Sequence, residues 1–168
     1  MVAPGLRTIA EGLDHPEGVC WSPREHVIYA GGEAGQLYRF ALDSGRAERV
    51  TEIDGGFLLG LAIDGTGDLY VCDPGHGCVH RVSPDGGVVR HGDPIGFPNY
   101  PVFDDQGCLW VSDSGGWEGA DGAIFRIDPD GATQRVADGL LFANGLAIQG
   151  EWLYAIESAW PRDRKSVV

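Results

Sequence analysis

Apolar and polar positions alternate along this chain in short stretches, as in Leu37-Tyr38-Arg39-Phe40 and Ile124-Phe125-Arg126-Ile127. A period of two puts successive side chains on opposite faces and predicts half-buried β-strands. Turn sequences stand between the stretches: Asp64-Gly65, Ser83-Pro84-Asp85-Gly86 and Asp128-Pro129-Asp130-Gly131. No stretch carries a convincing helical period.

The stretches also recur as a group. Glu17 to Ser22 is followed by Val27 to Gly32 and Gln36 to Phe40. The same order returns from Leu59 to Asp64, Asp68 to Asp73 and Cys78 to Val82. It returns again from Asn99 to Asp104, Cys108 to Asp113 and Ala123 to Ile127. A fourth copy, Asn144 to Ile148 and Trp152 to Glu157, stops halfway. The aligned positions 17, 59, 99 and 144 are separated by steps of 42, 40 and 45, and the longest step holds the extra loop 115–122.

Strand-only units of about 40–45 residues mark the blades of a β-propeller. A β-sandwich, the alternative all-β architecture, gives no reason for so long a unit to recur. The predicted fold is therefore all-β, with about three and a half blades of an incomplete propeller ring. Blades are expected at about 13–55, 56–97, 98–140 and 141–159, the last incomplete. Residues 6–11 read as the outer strand that closes the last blade, whose partner strands are absent from this sequence, and 160–168 as an aberrant or unstructured tail.

In a propeller the aligned residue begins the innermost strand of each blade. Glu17, Leu59, Asn99 and Asn144 would then converge on one mouth of the central channel. Three of these four carry side-chain oxygen, and a carboxylate with two amide carbonyls suits a hard divalent cation. Turn chemistry is the competing reading, because Asn144-Gly145 is a strong turn dipeptide and Pro16-Glu17-Gly18 and Pro98-Asn99-Tyr100 look like turns.

Composition narrows the function classes. With 43% hydrophobic and 22% charged residues, the chain has an ordinary globular balance. A net charge of −13, with only 12 Lys and Arg, argues against nucleic acid as a partner. No apolar run reaches the roughly 20 residues of a membrane span, and no secretory signal is visible at the start. A cytoplasmic protein without a membrane partner is expected. Cys20, Cys72, Cys78 and Cys108 match no zinc spacing and read as free thiols. His15, His26, His76, His80 and His91 share no spacing and read as surface or loop residues.

The stretches "DHPEGVCW", "FPNYPVFDDQGCLWVSDSG" and "FANGLAIQGEWLYAIES" resemble the gluconolactonase-like family, which includes regucalcin (senescence marker protein). The resemblance runs from about Leu13 to Ala159. It implies a six-bladed propeller holding one divalent cation, Ca²⁺ in the first place and otherwise Mg²⁺, Zn²⁺ or Mn²⁺. It also implies hydrolysis of a small-molecule lactone by metal-assisted attack of water. Carried over residue by residue, it makes Glu17 and Asn144 metal ligands and Asn99 a substrate-binding amide. Glu118, in the extra loop, becomes a substrate-contacting acid.

Two positions depart from the family pattern. Tyr100 stands where an Asp is common, and Phe97 where regucalcin-like members carry Arg. Six blades need roughly 250–280 residues. The family's remaining Asp ligand, from a later blade, is not in this sequence, and the general base is left unassigned. The chain is expected to be a truncated, inactive piece whose open blade edges favour self-association. The alternatives are a non-catalytic binding propeller or a strictosidine-synthase-like propeller.

Overall fold

The computed structural model describes residues 5, 7–43 and 46–159, and every regular element among them is a strand. The first sheet holds β1 (Val19–Ser22), β2 (Val27–Gly31), β3 (Gln36–Ala41) and β4 (Arg46–Glu52). The second holds β5 (Leu61–Ile63), β6 (Leu69–Asp73), β7 (Cys78–Val82) and β8 (Val88–His91). The third holds β9 (Pro98–Phe103), β10 (Leu109–Asp113), β11 (Gly122–Ile127) and β12 (Thr133–Leu140). A hairpin of β13 (Ala143–Gln149) and β14 (Trp152–Glu157) completes the series. Every pairing is antiparallel and joins strands in sequence order.

The turn sequences do what their chemistry dictates. In Ser83-Pro-Asp-Gly86 the Gly86 amide donates to the Ser83 carbonyl at 2.8 Å, with Gly86 at φ 87°. Gly131 repeats this on Asp128 at 2.8 Å and φ 92°. Only glycine takes that left-handed backbone without a steric penalty.

Three apolar layers hold the sheets face to face. Val27, Tyr29 and Leu37 of the first sheet meet Leu61, Leu69, Val71 and Val82 of the second. Tyr70, Cys72 and Val79 meet Leu109, Val111 and Ile127 of the third. Ile124 and Leu140 meet Ala143, Leu146 and Leu153 of the hairpin. Strand β6 shows why the pattern works. Its odd residues Leu69 and Val71 face the first sheet and its even residues Tyr70 and Cys72 face the third, so all of it is buried. This is blade-on-blade packing of a propeller.

The two outer faces have no such neighbour among the described residues. Trp152, Tyr154 and Ile156 of β14 are 50%, 50% and 62% exposed, and Val19 and Trp21 of β1 are 64% and 42% exposed.

The inner strands β1, β5, β9 and β13 lie side by side in that order. Their approach at one end is close enough to require glycine. A Cβ on Gly18 would lie 2.2 Å from the Leu59 carbonyl oxygen, and one on Gly60 would lie 2.5 Å from that of Asn99. The Gly60 amide donates to the same Asn99 oxygen at 2.8 Å.

One expectation fails. Residues 7–11 form no strand. A strand exists only by pairing its backbone groups, and this segment pairs with no sheet edge among the described residues. The expected tail, 160–168, lies outside the described residues.

Candidate functional site

Leu59 and Asn99 meet Gly18 and Gly60 at the starts of the inner strands, and Asn144 stands at the start of β13, next to β9. Their local backbone follows one pattern from the second sheet to the hairpin. In the second sheet the Leu59 amide donates to the Cys72 carbonyl and the Cys72 amide to the Gly60 carbonyl, each at 3.0 Å, so Leu59 and Gly60 stand together opposite Cys72 just ahead of β5. Leu59 is buried there. In the third sheet the register shifts between Val111–Pro101 and Asp113–Pro98, leaving Asn99 and Tyr100 opposite Ser112. In the hairpin it shifts between Ala143–Glu157 and Leu146–Ala155, leaving Asn144 and Gly145 opposite Ile156. Both asparagines therefore stand in β-bulges, as Leu59 does, and the side chain at this place is what differs: apolar in the second sheet, an amide in the third sheet and the hairpin.

The turn reading of Asn144 does not hold. Its backbone is not left-handed, and the residue that is, Phe142 at φ 54°, lies two positions earlier. Asn99 is 9% exposed, and its Nδ2 donates to Ser114 Oγ at 2.9 Å. Ser114 Oγ donates on to the Ala143 carbonyl at 2.8 Å. A polar relay thus ties Asn99 to the residue beside Asn144 and leaves Asn99 Oδ1 without a protein partner among the described residues. Glu17 is exposed just before β1. No hydrogen bond or ion pair among the described residues joins it to Asn99 or Asn144.

The extra loop folds back toward this end. Trp117 packs edge-on against Phe142 with ring centroids 4.6 Å apart, and Phe97 lies 6.3 Å from the same ring. Glu118, next to Trp117, is exposed.

An acid at the end of the second strand anchors the start of each later blade. Asp73 Oδ1 accepts the Phe57 amide at 2.9 Å, Asp113 Oδ1 that of Phe97 at 3.0 Å, and Glu157 Oε1 that of Leu141 at 2.7 Å. These acids recur at the same place in the repeat.

Asp73 carries more. Its Oδ2 receives His76 Nδ1 at 2.7 Å and His80 Nε2 at 2.9 Å, and its side chain is fully buried. Asp73, His76 and His80 place one ligand atom each within 4.8 Å of one another. His80, expected at the surface, is 7% exposed within β7. It occupies the aromatic place that Tyr38 holds in β3 and Phe125 in β11.

Burial pushes the Asp73 carboxyl up, yet the bonds from His80, the Phe57 amide and His76 outweigh it and hold it down at about 2. The bond to Asp73, helped by Cys78, lifts His80 to about 9 against the effect of burial. The depressed carboxyl stabilises the fold above its ordinary value of 3.8 and loses that as pH falls toward about 2. The raised imidazole stabilises fully below 6.5 and loses that as pH rises through about 9. The urea midpoint should therefore fall between pH 6.5 and 9, and His80→Gln should flatten that limb. A midpoint constant over this range would contradict the pairing.

The family model described as the SMP-30/Gluconolactonase/LRE-like region matches residues 2–103. A gluconolactonase from Xanthomonas campestris superposes with a TM-score of 0.78 at 23% identity, covering 90% of this chain and 57% of that one. A calcium-binding regucalcin from Agrobacterium tumefaciens gives 0.74 at 16% identity, covering 89% and 52%. A virginiamycin B lyase from Staphylococcus aureus gives 0.68 at 17%, covering 84% and 48%. The chain spans about half the length of these structures. A search of curated protein sequences finds no match.

Proposed function

The chain belongs to the SMP-30/gluconolactonase/LRE-like family, and from that membership we propose a metal-dependent lactone hydrolase with its site at the channel mouth. The observation that carries this reading is Asn99, which is 9% exposed and held through Nδ2 by Ser114, while no protein donor among the described residues uses its Oδ1.

The donor set fits a hard divalent cation. Glu17 offers an exposed carboxylate, Asn144 an amide in a bulge, and Asn99 an Oδ1 that no protein donor uses. Oxygen ligands of this kind suit Ca²⁺ before Zn²⁺. Such a cation, when bound, supplies Lewis acidity at a lactone carbonyl and acidifies water.

The chain's own residues do the rest. Glu17 and Asn144 would hold the cation. The Ser114 relay fixes the Asn99 amide plane, so its oxygen is already oriented for the cation or a sugar hydroxyl. Trp117 is braced on Phe142, and Glu118 stands exposed beside it in the extra loop. The 168 residues alone hold the cation weakly and turn over no lactone, because one carboxylate and two neutral amides make a low-charge site. A protein carrying these residues in a closed ring does both. Chelation of that protein should abolish acid release from a simple sugar lactone, and a divalent cation should restore it. Turnover that survives chelation would remove the metal-dependent reading.

The outer faces of β1 and β14 also have a consequence. Their apolar side chains favour association of the isolated chain, so light scattering should show oligomers. A monodisperse monomer would contradict this.

A further inference from the structure

Apart from the channel mouth, we propose that Asp73, His76 and His80 form a second metal site, selective for a borderline transition cation such as Zn²⁺. It lies on the β6–β7 turn of the second sheet, outside the row of inner strands. It therefore shares no ligand with the mouth.

Two imidazoles and a carboxylate are the donor types of three-ligand zinc sites, which leave a fourth position for solvent. The atoms are Asp73 Oδ2, His76 Nδ1 and His80 Nε2. Ligand bonds of about 2.0–2.2 Å put neighbouring donors roughly 3.3 Å apart on a tetrahedral ion. The observed 2.7 and 2.9 Å need only a modest opening. His76 can supply it, because its side chain is 33% exposed on the short turn while Asp73 and His80 are held in the sheet.

The surroundings leave room at the carboxylate. A Cβ on Gly56 would come within 3.2 Å of Asp73 Oδ2, and one on Gly75 within 3.0 Å of Oδ1. Gly55 lies beneath His76, where a Cβ would be 3.7 Å from Nε2. Three glycines thus keep side chains away from the cluster. His80 Nε2 also faces Cys78 Sγ at 3.5 Å. One ring nitrogen carries at most one hydrogen and cannot donate to both Asp73 and the thiol. A cation seated between the donors uses Nε2 and Oδ2 as lone-pair ligands together, with the buried sulfur beside them. Ca²⁺, which takes six to eight oxygens, is excluded by this donor set.

The test is a titration of the chelator-treated chain with Co²⁺, followed by visible absorption, and with Zn²⁺, followed by calorimetry and thermal unfolding. The expected result is one equivalent of tetrahedral cobalt, displaced by Zn²⁺ and untouched by Ca²⁺. His76→Ala, and His76→Gln as a variant that keeps a donor to Asp73, should weaken Zn²⁺ binding at least about tenfold, by analogy with the loss of supporting groups at metal sites. Both should remove the zinc-dependent rise in unfolding temperature. Glu17→Gln with Asn144→Ala should leave the cobalt spectrum unchanged. The proposal is overturned if no tetrahedral spectrum forms, if both His76 variants bind as the parent does, or if the Glu17 and Asn144 substitutions abolish binding. The first outcome leaves a hydrogen-bonded clasp only, and the last moves the metal to the mouth.

Discussion

Glu17→Gln, introduced into a ring-complete protein that carries these residues, should lower lactone turnover by on the order of 100-fold or more. Glu17 is the one carboxylate in the row of four. Replacing it by an amide keeps the shape and removes the charge, and charge count sets the affinity of oxygen sites for divalent cations. Loss of groups that merely support a ligand costs 10–100-fold in affinity or activity, so loss of a ligand should reach at least the upper end of that range. Asn144→Ala should fall in the same direction, with metal affinity and turnover dropping together. Leu59→Met changes no oxygen donor and should leave both near the parent value. Glu118→Gln, in the exposed extra loop, should raise KM and spare the metal. A Glu17→Gln variant with unaltered affinity and turnover would contradict the assignment.

Asp73→Asn should be the most destabilising single polar change in the described structure. The side chain is fully buried and binds His80, His76 and the Phe57 amide together. Asparagine can still accept the Phe57 amide but cannot balance a charged His80. Removing one partner of a buried pair typically costs about 3–5 kcal/mol, because the other charge is stranded. In a chain of this length that amounts to a drop of roughly 10 °C in unfolding temperature. Asp113→Asn, which loses charge on a half-exposed carboxylate bonded only to backbone amides of Phe97 and Gly115, should cost far less. Differential scanning calorimetry of the two variants checks the ranking, and equal losses would contradict it.

The blades were legible in the sequence because two independent periods coincide. Alternation marks each strand, and the spacing of Glu17, Leu59, Asn99 and Asn144 marks each unit. The bulges were not legible. A bulge is a difference in residue count between paired strands, so it appears only when Asn144-Gly145 is set against Ile156. That is why Asn144 could be read as a turn. The left-handed residue at this junction is Phe142, a residue type that announces no such backbone. The Asp73 cluster was missed for another reason. Asp73, His76 and His80 follow no metal-binding spacing, and β7 reads as an ordinary strand. The available signal was His80 standing where the other repeats place Tyr38 and Phe125, which marks a buried ring with a polar task. Residues 7–11 form no strand because alternation records a capacity to pair, while pairing needs an edge.

The central claim is that Glu17, Asn99 and Asn144 serve one cation at one mouth. Paramagnetic broadening by Mn²⁺ tests it most directly, using amide resonances of the His76→Ala chain so that the second cluster is disabled. Broadening at low Mn²⁺ should appear first at Glu17-Gly18, at Asn99-Tyr100 and at Asn144-Gly145. It should spare the turns at Thr66-Gly67 and Gln106-Gly107, which lie at the opposite end of the strands, and excess Ca²⁺ should reverse it. Broadening of Glu17 without Asn99 and Asn144, or uniform broadening of all the acidic turns, would contradict a shared site.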